Sequence, residues 1–324
     1  MTPIRLAVVI GAGRSGTSAI TRALAAVGYD LGNRLKPGGL RKNPKGFFED
    51  ETLLGITQQV HRVVGLHPTG RHVRLIPDAA WSNPALKPLQ QQAQEQLGAY
   101  LAQAPCFAFK AGGLLRIFPF WQQVFASLHI EPGYVMALRN PLNVAQSRSR
   151  LDTLRGQQTK SDLEWVVGNL AYLTLLRGYP LVVVDYDLMM HAPRVQCQRL
   201  SQQLGWEAPD AQAIADYADT FLTKELYHHR ADLEHLAQNG QLLPLARDAY
   251  VLLRQVAEDT MASQEDSFWE ALAPLHRELV RLGPLLDQVD QLEERLRQRH
   301  GGLSGLWATL RPRLLGQQTH SSTP

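Results

Sequence analysis

The stretch VVIGAGRSGTSAITRALAAVG, Val8–Gly28, decides the fold class. It closes an apolar run, Leu6-Ala7-Val8-Val9-Ile10, that reads as a first strand over Arg5–Ile10. Gly11, Gly13 and Gly16 then make a tight turn, and Thr17–Val27 has the spacing of a helix. That order aims backbone N–H groups and the positive end of a helix dipole at one point. Arg14, Ser15, Thr17 and Ser18 add donors there, so the point suits an anion.

Working outward, two further apolar runs have strand length, Gly133–Leu138 (GYVMAL) and Leu181–Asp185 (LVVVD), with Cys106–Lys110 (CFAFK) a weaker fourth. Helical spacing follows at Phe118–Ser127, Asn143–Arg150 and Pro193–Leu204. Strands that are apolar almost throughout and alternate with helices predict an α/β fold, a central parallel β-sheet flanked by helices on both faces. Leu31–Lys45 and Pro68–Pro88, rich in Gly, Pro and Asn, read as long loops. From about Asp210 strand signals stop, which divides the chain into an α/β unit over 1–230, a C-terminal helical extension over 231–316 and a disordered tail over 317–324. Within the extension Leu275, Leu279, Leu282, Leu286, Val289 and Leu296 repeat at near-heptad spacing, with Pro284 expected to break the ladder and Glu293 on the seam. The seam fits a homodimer contact through Leu282 and Leu286, or a helix covering its own core.

Composition bounds the partners. With 324 residues, 44% hydrophobic and 19% charged, the chain can bury a sizeable core. Lys+Arg at 33 against Asp+Glu at 30 leaves +3, too small a field to point to nucleic acid or an anionic membrane. Cys106 and Cys197 form neither a disulfide framework nor a zinc cluster, and a reducing, cytoplasmic setting is expected. No window is apolar for long enough to span a membrane, because Arg177 and Asp185 interrupt the richest stretch, and the N-terminus lacks a signal-peptide pattern.

Three anions could occupy the glycine turn. Gly11-x-Gly13-x-x-Gly16 satisfies a dinucleotide fingerprint, but Tyr29–Pro37 is basic and glycine-containing where a second strand ending in an acid is required. Gly11-x-x-x-x-Gly16-Thr17-Ser18 fits a nucleoside-triphosphate loop except that Thr17 replaces the lysine, and Asp185 could then be the metal-binding acid of a kinase or NTPase. The third reading is a nucleotide with fewer phosphate charges held by the same loop.

For that third reading, Arg14-Ser15-Gly16-Thr17-Ser18 resembles the phosphosulfate loop of the sulfotransferases that use 3′-phosphoadenosine 5′-phosphosulfate (PAPS). Arg139-Asn140-Pro141 with Ser147 resembles their 3′-phosphate site, an arginine followed eight residues later by a serine at a strand-to-helix turn. Asn43–Asp50 (NPKGFFED), Lys110 with Pro119-Phe120-Trp121, and LVVVDYDLM leading to Leu204-Gly205-Trp206 are similar to segments of the bacterial members, so the resemblance covers about Arg5–Arg230. It implies a P-loop-like sulfotransferase fold over 1–230 and transfer of a sulfuryl group to a hydroxyl or amine of a glycan or small-molecule acceptor, with no metal required. It also implies that Gly13, Arg14, Ser15, Gly16, Thr17 and Ser18 hold the phosphosulfate, that Arg139 and Ser147 hold the 3′-phosphate, and that Lys110 and Arg14 offset charge on the leaving phosphate. Glu49 is the implied base, with Asp50, His61, His67 and His72 in reserve, while His228-His229-Arg230 is a possible nucleotide contact. The alternative is a kinase- or NTPase-like enzyme, or a nucleotide-binding protein without catalysis.

Overall fold

The computed structural model describes residues 5–39, 45–205, 209–222, 236 and 239–315, the side chains of 299–315 excepted. Asn43-Pro44, His228-His229-Arg230 and the tail expected over 317–324 lie outside the described residues. Four parallel strands, β1 (Leu6–Ile10), β2 (Phe107–Lys110), β3 (Gly133–Leu138) and β4 (Leu181–Asp185), form one sheet in the order β2-β1-β3-β4. Val9 pairs with Lys110, Ile10 with Met136, and Leu138 with Asp185. Every strand residue is buried, as the near-continuous apolar runs require of a sheet covered on both faces.

Alternate side chains feed two cores. Leu6, Val8, Phe107, Phe109, Met136 and Val183 enter one, and Ala7, Val9, Ala108, Val135, Ala137 and Val184 the other. The smaller core is closed by α1 (Thr17–Val27), by α8 (Pro193–Gln203), which follows the short α7 (Tyr186–His191), and by α9 (Ala211–Asp216). The larger is closed by α2 (Glu51–Val63), α3 (Leu86–Gln103), α4 (Phe118–Ser127) and α6 (Gln158–Leu170), and α5 (Pro141–Ser149) follows β3. Among the described residues no helix is long and apolar enough to cross a membrane.

The C-terminal helices complete that larger core. Leu245, Ala249 and Leu253 of α10 (Pro244–Ala257) and Phe268, Leu272, Leu279 and Leu286 of α11 (Asp266–Leu315) are buried in it. This corrects one expectation. Pro284 does not end the helix, which runs through it without a break. In the Leu282–Leu286 seam, Leu286 is buried in its own chain, Leu275, Leu282 and Val289 pack beside it, and Leu296 at the far end is 54% exposed. Asp290 of the same helix is fully buried and accepts from Val73 N and Arg74 N at 2.9 Å, tying the long loop before α3 to α11. Leu286→Ala is expected to lower stability by about 2–4 kcal/mol in urea titrations, as cavity formation in a packed core does, with no change of mass in light scattering.

Candidate active site

The carboxyl ends of the four strands present Gly11, Lys110, Arg139 and Tyr186 along one edge of the sheet, next to or at its last residues. In open parallel sheets ligands settle there, at the point where strand order reverses, and here β1 stands between β2 and β3.

The loop after β1 is built as an anion cradle. Arg14 takes a left-handed φ of 75° and Gly16 one of 80°, which turn successive N–H groups toward one side. Gly16 is required twice over, since a Cβ there would also stand 2.1 Å from the Tyr186 ring. Among the described residues, Gly13's chain neighbours aside, no atom lies within 4 Å of where a Cβ on Gly13 would stand, so the cradle is open at that point. Gly16 is the N-cap of α1 and no side chain caps it, so neither Thr17 nor Ser18 is spent on capping. The Ser15 hydroxyl is buried with no hydrogen-bond partner among the described residues.

Beneath the loop lie two residues that sequence reasoning missed. Asn169 Oδ1 of α6 accepts from Ala12 N at 2.9 Å, and Arg148 Nη2 of α5 donates to the Gly13 carbonyl at 3.2 Å. Arg148 is itself fixed by bonds from Nη1 to Ser161 O and Oγ at 2.6 and 3.0 Å, and it lies 3.5 Å from Glu164. Burial pushes its guanidinium down to about 10. Neither residue belongs to a motif, and contacts spanning 157 and 135 positions leave no local signal.

Arginines gather at the open side. Arg14 Nε donates to Ser147 Oγ at 3.0 Å, and Arg139 Nη1 donates to the Arg14 carbonyl at 3.3 Å. Arg139 stacks over Tyr186 at 4.8 Å, and its own carbonyl accepts from Trp165 Nε1 at 3.0 Å. The structure thus joins Arg14, Arg139 and Ser147, which lie up to 133 residues apart, into one cluster. Arg14 is held below the usual guanidinium range, first by burial and then by the charges of Arg139 and Arg150, so the cluster favours an added negative charge.

Lys110 ends β2, where its Nζ donates to Ser18 Oγ at 3.0 Å and to Phe47 O at 2.5 Å, with Glu49 Oε1 at 3.7 Å. Burial pushes its ammonium down to about 8, while Glu49 acts in the opposite direction. Glu49 is placed by pairing of the returning chain, in which Lys36 N donates to Glu49 O and Leu35 bridges to Asp50. It precedes α2 rather than opening it, because Asp50 is the N-cap.

Asp50, His61 and His72 are engaged with other groups. Asp50 accepts from Thr52 N, Leu53 N and the Tyr100 hydroxyl, the last at 2.5 Å. His61 is buried against Gly113, with Nε2 3.2 Å from its carbonyl, and burial pushes it down to about 4. His72 accepts from His67 N through Nδ1 and lies 3.0 Å from Glu294 of α11. Asp185, the metal-binding candidate of the triphosphate reading, instead caps α7, accepts from the Tyr250 hydroxyl and pairs with Arg254 at 3.2 Å. Burial pushes its carboxyl up to about 6. Where the dinucleotide reading needs a second strand, only isolated bridges at Asp30 and Leu35 occur among the described residues. No group of three or more metal-ligating side chains is found among them either.

No protein-family model matches the chain, and no curated protein matches it. Among solved structures it is similar to the sulfotransferase domain of the olefin synthase of Synechococcus PCC 7002, at 18% identity and a TM-score of 0.42, over 80% of this chain and 95% of that one. It is similar to the sulfotransferase domain of the curacin biosynthetic pathway at 15% identity and a TM-score of 0.42, over 80% and 98% of the two chains. A third is the sulfotransferase STF9 of Mycobacterium avium, at 15% identity and a TM-score of 0.42, over 87% and 77%.

In the free protein the Lys110 ammonium is expected to titrate near pH 8 in lysine-selective NMR, and Glu49→Gln to lower that midpoint by removing the charge that holds the proton. A lysine that stays protonated to pH 10 in both proteins would contradict the burial seen here.

Proposed function

We propose that this protein is a sulfotransferase that transfers a sulfuryl group from PAPS to a hydroxyl or amine of a carbohydrate or small-molecule acceptor. The observation that carries the reading is that the glycine loop and the first turn of α1 connect two groups. One is the Arg14–Ser147–Arg139 cluster, and the other is Lys110 with Ser18 at 3.0 Å and Glu49 at 3.7 Å. The residues suit a nucleotide bearing separate phosphate groups: Arg139 Nε and Ser15 Oγ are buried donors without a hydrogen-bond partner among the described residues, and the cradle is open at Gly13. Loop N–H groups from Gly13 to Thr17, with Arg14, would hold the phosphosulfate, and Arg139 with Ser147 would hold the 3′-phosphate.

Bound there, PAPS supplies the sulfuryl group and leaves as adenosine 3′,5′-bisphosphate. Lys110 offsets negative charge that develops on the leaving phosphate, because its ammonium is already fixed beside the first turn of α1 by Ser18 and Phe47. Arg14 supplies a second positive charge from within the loop itself. Glu49 takes the proton of the acceptor group, so that the attacking oxygen or nitrogen becomes nucleophilic as it approaches the sulfur. The low exposure of Lys110 and Glu49, 4% and 8%, keeps bulk water from screening these charges.

Adenosine 3′,5′-bisphosphate is expected to raise the melting temperature more than equal concentrations of ATP or NAD, since a ligand selective for the folded state stabilises it by mass action. Equal shifts with all three would remove the reading. Glu49→Gln is expected to cut turnover by about 10²–10⁴-fold with bisphosphate affinity nearly unchanged, the signature of a general base. Wild-type turnover in that variant would eliminate Glu49 from the chemistry.

A further inference from the structure

One carboxylate stands inside the arginine cluster. Asp187, in the first turn of α7, places Oδ1 4.0 Å from Arg139 Nε, and its Oδ2 accepts from Asn143 Nδ2 at 3.1 Å. A guanidinium offers an oxyanion two forked edges, Nε with Nη2 and Nη1 with Nη2. Here Nη1 donates to the Arg14 carbonyl at 3.3 Å, while Nε is buried with no hydrogen-bond partner among the described residues. The Nε edge is therefore the one left for a bidentate anion, and Asp187 faces it. At 4.0 Å the carboxylate is too far for a hydrogen bond but close enough for its charge to act.

Resting on the sulfotransferase reading, we propose that Asp187 is a specificity-determining residue of the donor site, whose carboxylate competes with a 3′-phosphate for the Nε edge of Arg139. Its negative charge weakens the hold on nucleotides that carry this phosphate and acts less on those that lack it. Other groups also hold Arg139 in place. The Tyr186 ring lies under the guanidinium at 4.8 Å, Trp165 holds the backbone, and the bond to the Arg14 carbonyl fixes the Nη1 end. Neutralising position 187 thus removes a repulsion while the fork stays in place. Asparagine retains an oxygen that can accept from Asn143.

The test is calorimetric titration of adenosine 3′,5′-bisphosphate and adenosine 5′-monophosphate into the wild type and Asp187→Asn. The variant is expected to bind the bisphosphate about tenfold more tightly, the effect of one like charge a few ångströms away in a partly buried site, with a much smaller change for the monophosphate. Asp187→Ser removes the same charge and replaces the asparagine variant if that does not fold. Bisphosphate affinity that is unchanged or weaker in the variant, with normal binding by the wild type, overturns the inference and makes Asp187 a support for Arg139. Equal tightening of both nucleotides also overturns it, since the effect would then be one of overall charge. A wild type that binds no bisphosphate removes the sulfotransferase reading itself, an outcome distinct from the other two.

Discussion

Two hydrogen bonds, from α6 and α5, brace the loop between β1 and α1. Asn169 accepts from Ala12 N, and Arg148 donates to the Gly13 carbonyl. Within the braced loop Arg14 and Gly16 take left-handed φ values, and the loop N–H groups turn toward one side. The cluster at the open side depends on the same arrangement, because Arg139 is anchored to the Arg14 carbonyl and Arg14 reaches Ser147.

The charges around the loop are arranged by depth. Arg148 lies deep, where leaving a guanidinium unpaired would be costly, and it is satisfied by Ser161, Glu164 and the Gly13 carbonyl. Asp185 is equally deep and is satisfied by backbone N–H groups, Tyr250 and Arg254. Arg14 lies nearer the surface and meets the charge of Arg139 before any anion arrives. Arg148 and Asp185 fix geometry, while Arg14 and Arg139 face the open side of the loop. A charge already committed to the fold cannot also reorganise around a substrate without a desolvation penalty.

The helices after residue 239 belong to the same design. α10 and α11 close the larger core against the sheet, and Asp290 ties the loop at Val73 and Arg74 to α11. Arg116, which follows the turn after Lys110, donates to the carbonyls of His72 and Arg74 in that same loop. The C-terminal helix and the segment after β2 are therefore joined through one loop by buried hydrogen bonds.

The strands, α1, α4 and the α/β class were legible in the sequence, because burial on both faces of a sheet forces continuous apolar runs and the glycine turn marks where the first one stops. The glycine turn was legible as a local motif, and Arg14, Arg139 and Ser147, singled out through a resemblance, are brought together in one cluster. The choice between Glu49 and Asp50 was not legible, since both stand before the same helix, and pairing of the chain at Leu35 and Lys36 makes one the cap and leaves the other beside Lys110. Arg148, Asn169 and Asp187 were likewise hidden, and so was the direction faced by the leucines of α11. Local sequence determined which segments form strands, turns and helices, because those preferences act over a few residues. Tertiary structure alone decided which polar groups support the loop and which remain for a ligand, because that depends on burial and on partners more than a hundred residues away.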